Sequence, residues 1–575
     1  MNNERVAIIL YEIADLLALE GVPFKPQAYR RVAETIASLS EPIEQVVVQE
    51  RLADLPGVGE AIEKKIREIV ETGSLRYHDE LKAKLPIDLY ALTRIDGVGP
   101  KTAKRLYEEL GICNLADLDR AARHGRIRDV KGLGAKSEEK ILRGLGEARR
   151  VEHRILLGEA VPLADDLVEH LTASGRFGRI EIAGSLRRAR ETIGDLDVLA
   201  TADDSAAASA AFVRLPEAQE TLAHGSKKST IRLSNGVQVD LRIVPPDSYG
   251  AALQYFTGSK DHNVALRKRA IARGWKLNEY GLFDVDEKTI AGEEERNLYQ
   301  HLGLQFIPPE LREDRGEIEA AEQGMLPVLL EAGQARGDLH VHTHASDGRA
   351  SLQEMVDAAR ARGLAYIAVT DHAKFAEVIG GLTPETLRRQ IEEIAELNRS
   401  LDDFAVLCGI EANVGPDGIL DVADALLARL DVVIASVHSH FRQSRSQMTE
   451  RLCRVCLNPH VDILGHPTTR KIGERAPIDA DWDAVFEAAA RGGTAMEVNA
   501  NPIRIDLNAE LARRAIDADV KLAIGTDAHT PDHFDFLALG ILTARRGWAT
   551  SADVLNTRSA ASLSHEAESQ VTAED

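Results

Sequence analysis

Cysteine, long apolar runs and an excess of positive charge are what this chain of 575 residues lacks. Its four cysteines are too few and too scattered for a disulfide framework, so a reducing, cytoplasmic location is expected. No apolar run reaches the length of a membrane span, and the opening Met-Asn-Asn-Glu has no charged-then-apolar signal layout, so no membrane partner is expected. The net charge of −22 would exclude a uniformly basic nucleic-acid binder, but the deficit is uneven. Residues 1–300 carry 44 Lys and Arg against 48 Asp and Glu, whereas residues 301–575 carry 26 against 44. The stretch 101–150 is net positive, 13 against 8, which suffices for a local backbone-binding patch. What is present is an ordinary 44% hydrophobic content over a length too great for one core, so three or more domains are expected.

The front half is organised around Ile182-Ala-Gly-Ser-Leu-Arg-Arg-Ala-Arg-Glu-Thr-Ile-Gly-Asp-Leu-Asp197. Residues 180–183 and 195–200 read as short strands, and residues two apart on a strand share a face, so Asp195 and Asp197 point the same way. Two such carboxylates repel unless a divalent ion sits between them. Gly184-Ser185 opens a tight turn whose backbone N–H groups can cradle phosphate oxygens. A third strand, 237–243, offers Asp240 as a further ligand. An isolated Asp-x-Asp is usually a solvated strand end; joined to the turn and to Asp240 it describes two-metal phosphoryl transfer. The combination resembles the nucleotidyltransferase signature, and Gly184-Ser-Leu-Arg-Arg188 with Gly194-Asp-Leu-Asp197 resembles the family X DNA polymerases. That resemblance implies Mg²⁺ or Mn²⁺ on Asp195, Asp197 and Asp240, and an incoming triphosphate held at Gly184, Ser185, Arg188 and Gly194. Gln238 departs from the family, which carries an arginine there.

Ahead of this lie helical patterns and three similar phrases: Leu55-Pro-Gly-Val-Gly59, Ile95-Asp-Gly-Val-Gly99 and Val130-Lys-Gly-Leu-Gly134. They resemble helix-hairpin-helix motifs, in which glycines turn the backbone and aim N–H groups at a DNA phosphate without reading bases, so Gly57, Gly59, Gly97 and Gly99 are expected DNA contacts. The same family resemblance places Lys65 at a Schiff-base lysine and Lys25 and Tyr29 at a 5′-phosphate site. Lys64-Lys65 also fits a plain solvated helix face, and Phe24 and Ala61 depart from the family pocket. Beyond the aspartates, Tyr255-Phe-Thr-Gly258 resembles the family's sugar-discriminating turn, and Asn263 and Arg267 match positions that read the minor-groove edge of the new pair.

The strongest metal signal begins at Gly337-Asp-Leu-His-Val-His342, with Asp347 following in a loop. Five further apolar strands then end in His372, Glu411, His438, His466 and Asp527-Ala-His529, the working face of an α/β barrel. Imidazoles and carboxylates without thiolates suit Mn²⁺, Zn²⁺ or Fe. The pattern resembles the PHP (polymerase and histidinol phosphatase) domain. By that analogy His340, His342, Glu411 and Asp527 hold one ion, Glu411, His438 and His466 a second, and Asp347, His372 and His529 a third. Cys453-x-x-Cys456 has no partner pair and reads as helix packing.

The expected fold is multidomain α/β. A helical lyase-like domain (1–80) and a helix-hairpin-helix domain (81–149) precede a nucleotidyltransferase palm with a mixed sheet (150–245). A nucleotide-selecting α/β thumb (246–315), a linker (316–336), a distorted (β/α)₇ PHP barrel (337–562) and a disordered tail (563–575) follow. The expected function is template-directed gap filling in DNA repair, with a metal-dependent 3′–5′ exonuclease in the barrel and a possible lyase activity. DNA with gapped or primer-template structure and a 5′-phosphate, together with dNTPs, are the expected partners of a monomer. Alternatives are a nucleotidyltransferase that is not a polymerase fused to a phosphatase, and a DNA-binding scaffold with inactive sites.

Overall fold

A computed structural model describes residues 3–38, 43–55, 57–93, 95, 97–151, 154–374 and 380–564. Pro56 and Asp96 of the hairpins and the tail from 565 lie outside the described residues. Two compact units divide the chain, Met1–Glu152 with Lys374–Gly381, and His153–Ala373 with Leu382–Asp575.

The first unit is helical. Helix Glu60–Thr72 buries Ile62, Ile66 and Ile69, spaced as one helical face, and stops where Gly73 takes a left-handed conformation. The same core gathers apolar faces from helices Asn3–Leu19, Lys25–Ser38, Pro100–Leu110 and Leu115–Arg123. The three glycine phrases fold alike. Gly57, Gly97 and Gly132 all have φ between 79° and 91°, while Gly59 and Gly99 cap the helices that follow.

The second unit opens with a five-stranded mixed sheet in the order Ile180–Ile182, Asp195–Ala200, Gln238–Ile243, Lys228–Leu233, Ala218–His224. Its central pair, Asp195–Ala200 and Gln238–Ile243, runs parallel with Asp197 directly opposite Asp240. Helices Tyr249–Thr257 and Lys260–Ala272 and a three-stranded sheet follow. The stretch 316–336, expected as a linker, is packed instead. Helix Glu317–Gln323 buries Glu317, Ile318 and Ala321, and Leu329 and Leu330 are buried as well, because the Glu and Ala content of the stretch hides an apolar face.

Seven parallel strands then lie in sequence order, from Gly337–Val341 to Leu522–Gly525, and Val341 bridges Ala528 to bring the last strand beside the first. Six of them carry the expected ligands at or just beyond their carboxyl ends; the remaining one is Ala495–Asn499. Helix Arg445–Cys456 buries Cys456 in the barrel's apolar layer, the packing role expected of the pair. Among the described residues no helix is long and apolar enough to cross a membrane.

Candidate active sites

In the palm, parallel pairing brings three carboxylates together at one end of the sheet. Asp240 is buried and accepts from Thr230 Oγ1 at 2.5 Å and from Gln238 Nε2 at 3.4 Å. Burial, then the neighbouring Asp195 and Asp240, push Asp197 up to about 7, and burial and Asp240 raise Asp195. Such mutual destabilisation of clustered carboxylates is the mark of a cation site. Gly184 completes it: with φ +63°, a Cβ there would sit 2.3 Å from Asp197 Oδ2. Gln238 shares the face of Asp240 because it lies two residues earlier on the same strand, whereas Thr230 left no signal in the sequence, since only strand register sets it opposite Asp240.

Residues expected at a nucleotide site are tied to one another by hydrogen bonds and packing. Arg188 Nε donates to Glu313 at 3.1 Å, and its Nη1 donates to the carbonyl of Thr257, the residue before Gly258. Gly258 has φ +70° and a Cβ on it would meet Arg188 Nη1 at 3.2 Å, so the turn and the arginine share one wall. Ser185 is half-buried in the short helix Gly184–Arg187, and Gly194 abuts the Arg154 guanidinium. Tyr255 and Phe256 meet edge to face at 5.2 Å, with the Arg242 guanidinium 4.2 Å over Phe256. Asn263 is buried, donating to Tyr255 O at 2.7 Å, and Arg267 lies one turn beyond, donating to Asn263 O at 3.4 Å.

In the helical unit, Lys65 Nζ donates to Ala61 O at 3.1 Å and stands 5.0 Å over the Tyr77 ring, in an open groove also lined by Lys64 and Leu75. Tyr29 is buried, and burial with Tyr77 pushes its hydroxyl up to about 12, while Lys25 is exposed. Tyr77 belongs to no motif of the sequence; its place over Lys65 comes from the fold. At Gly59 and Gly99 a Cβ would meet nothing within 4 Å, so the helix starts they cap are open to solvent.

At the barrel mouth all nine expected side chains converge. Glu411 lies at the middle: Oε1 is 3.0 Å from His466 Nε2 and 3.2 Å from His438 Nε2, and Oε2 is 2.8 Å from His372 Nδ1 and 3.5 Å from His340 Nε2. The ligand atoms fall into three overlapping groups: His340, His342, Asp527; His372, Glu411, His438; and His342, Asp347, His372, His529. Relative to the expected division, His342 and His372 are shared, Glu411 joins the second group and not the first, and His466 stands outside the three groups, 3.0 Å from Glu411 Oε1.

The donor set fits metal ions. Both Glu411 oxygens, both His342 nitrogens, His340 Nε2 and His372 Nδ1 are buried, and although Glu411 Oε2 and His372 Nδ1 stand 2.8 Å apart, none of them is aligned for a hydrogen bond. Such orphans are costly in a protein interior unless a ligand is meant to take them. Three histidines are turned by their other nitrogen: His340 Nδ1 to Glu497 at 2.6 Å, His438 Nδ1 to Asn413 Oδ1 at 2.6 Å, and His529 Nδ1 to Asp527 O at 2.7 Å. Each leaves Nε2 facing the cage, as metal-bound imidazoles require. Burial opposes the charge of Asp347, but His372 and His529 hold it well below the usual carboxylate range. Asp527 and His466 also sit at positive φ, 55° and 25°, strain of the kind that concentrates at functional sites.

Profiles of known families match four stretches: a helix-hairpin-helix domain at residues 1–75, a SAM-like helix-hairpin-helix tandem at 89–147, a DNA polymerase beta thumb at 252–313 and a PHP domain at 338–501. The "DNA polymerase/3'-5' exonuclease PolX" of Bacillus subtilis is 38% identical over 563 residues, 97% of this chain and 98% of the relative. DNA polymerase lambda of Rattus norvegicus is 24% identical over 54% of this chain and 56% of its own length. A "Probable phosphatase" of Caldanaerobacter subterraneus is 32% identical over 33% of this chain and 75% of its own length.

Proposed function

Because this chain belongs to the family X DNA polymerases that carry a PHP domain, we propose that its palm aspartates and its barrel cage are two independent active sites. One extends a primer 3′-end in short DNA gaps, and the other removes nucleotides from 3′-ends, in the service of DNA repair in the cytoplasm. The observation that carries this reading is the pair of separate clusters on one chain, three aspartates on neighbouring palm strands and nine imidazole and carboxylate groups at the barrel mouth.

Divalent ions, Mg²⁺ or Mn²⁺ in the palm and up to three of Mn²⁺, Zn²⁺ or Fe in the barrel, supply charge neutralisation and Lewis acidity when bound. Asp195 and Asp197 hold them in the palm, with Asp240 on the side of the primer 3′-hydroxyl. Ser185, Arg188 and the N–H groups of the Gly184 turn bind triphosphate oxygens. The wall at Tyr255, Phe256 and Gly258 crowds the sugar, and Asn263 and Arg267 face the new pair. The glycine hairpins hold the DNA backbone, Lys25 and Tyr29 take a 5′-phosphate, and Lys65 beside Tyr77 is the candidate lyase amine. The enzyme works as a monomer.

Incubating gapped DNA with Mn²⁺ and dNTPs tests the assignment. Asp197→Ala should lose synthesis by more than a thousandfold and keep 3′-end hydrolysis; His340→Ala should do the reverse. Hydrolysis that survives His340→Ala would remove the barrel from the reaction.

A further inference from the structure

Two cations at the barrel mouth belong to none of the nine ligands. Arg504 lies in the loop after strand Ala495–Asn499, its Nε 3.5 Å from Asp527 Oδ2 and its side chain only 15% exposed. Its Nη1 is buried without a hydrogen-bond partner. Lys471 lies on the loop beyond His466, which the Ile472 N–H, donating to Ile503 O at 2.6 Å, sets beside the Arg504 loop; it faces Arg504 and Arg475 as like charges and Glu474 and Asp527 as opposite ones. Two like charges side by side in a poorly solvated mouth repel each other. Asp527 cannot answer both, because it already faces His340 at 3.8 Å and His342 at 3.2 Å. Ions in the cage would deepen the positive excess, so the missing complement is an anion arriving from solvent. A guanidinium edge beside an ammonium suits the tetrahedral oxygens of a phosphate.

The loop that carries Arg504 is shaped by the palm. Ile505 holds φ at 44°, a conformation that β-branched residues rarely adopt, and its side chain is buried in the palm's apolar core with Leu157 and Leu539. Pro502 packs against Gly158 so closely that a Cβ on the glycine would lie 2.5 Å away. Arg470 donates to the carbonyls of Arg504 and Ile505 and pairs with Glu191 of the palm.

We propose that Arg504 and Lys471 form the phosphate-binding wall of the nuclease site, gripping the 3′-terminal phosphodiester and then the phosphate of the released nucleotide. The inference rests on the barrel being the hydrolytic site. It adds the residues that recognise the substrate and makes their placement depend on the polymerase half.

The test uses the full chain in an Asp197→Ala, Arg188→Ala background, which takes a metal ligand and the phosphate-binding arginine out of the palm. Arg504→Gln, Arg504→Lys and Lys471→Gln are compared for bound Mn²⁺ by elemental analysis, for 2′-deoxyadenosine 5′-monophosphate binding by calorimetry, and for exonuclease KM. Metal content should stay at the parent value, while each Gln variant weakens the nucleotide and raises KM at least tenfold, with Arg504→Lys in between. Nucleotide affinity within twofold of the parent in both Gln variants overturns the proposal. So does loss of Mn²⁺ from Arg504→Gln, which would make Arg504 only a support for Asp527. A parent chain that neither hydrolyses DNA nor binds the nucleotide would instead overturn the nuclease reading, and this wall with it.

Discussion

Glu497 decides which nitrogen His340 presents to the cage, although it is not one of the nine expected ligands. One oxygen accepts from His340 Nδ1 at 2.6 Å and the other accepts the backbone N–H of His466, so a single carboxylate orients two ligands. Glu497→Gln should therefore leave the fold intact and weaken metal binding by about 10–100-fold, measured by competition with a chelator. The residue was legible in principle, as the one carboxylate in the buried strand Ala-Met-Glu-Val-Asn. Local pattern does not separate it from Glu411, which likewise stands two residues before the end of its strand; only the fold shows that it reaches two histidines. A second residue acts on stability. Burial alone would raise Glu295, but Arg312 at 2.7 Å and Arg187 at 2.8 Å hold it down to about 2 from its ordinary 4.5. A depressed carboxylate stabilises the fold above its unfolded pKa, and that contribution disappears as pH falls from about 4.5 toward 2. Glu295→Gln should cost about 3 kcal/mol at pH 7 and almost nothing at pH 2, read from urea unfolding at the two pH values.

At the scale of elements, the helix-hairpin-helix phrases separate two uses of glycine. Gly97 sits at φ +91° with Lys140 and Ile141 side chains 3.5–3.6 Å from where a Cβ would lie, so its role is conformational. Gly99 caps helix Pro100–Leu110 from ordinary extended backbone and faces open space. Gly97→Ala should lower stability by about 1–2 kcal/mol. Gly99→Ala should melt like the parent yet bind gapped DNA several-fold more weakly, because a methyl group then stands where a phosphate approaches the helix start; thermal melting and fluorescence anisotropy separate the two. These elements were readable because each is a local pattern, as were the barrel strands that end in a ligand-type residue. The helical character of the 316–336 stretch is local as well, but the burial of Ile318, Ala321 and Leu329 against distant partners is not shown by local composition.

At the scale of the whole second unit, the two catalytic halves share a charge network that sequence reading could not reach. Arg546, on the barrel helix Leu537–Arg546, donates to the carbonyl of Arg188, 358 positions earlier, and pairs with Glu313 at 3.1 Å. Arg188 and Arg190 pair with the same carboxylate, at 3.1 and 3.6 Å. Glu313 is thus an anion already seated against the arginine expected to bind the triphosphate. Arg546 draws part of its charge away from Arg188. Removing Arg546 leaves Glu313 to Arg188 and Arg190 alone, which tightens its hold and leaves less of the guanidinium for a nucleotide. Arg546→Ala should raise KM for dNTP about three- to tenfold, or roughly 1 kcal/mol, with exonuclease rates unchanged. Glu313→Gln should act in the opposite sense, because it withdraws the competing charge while keeping the side chain's volume. Steady-state primer extension on both variants decides the point: shifts of the same sign would show that the network only supports the fold, whereas opposite signs mean that a barrel residue sets the nucleotide affinity of the palm.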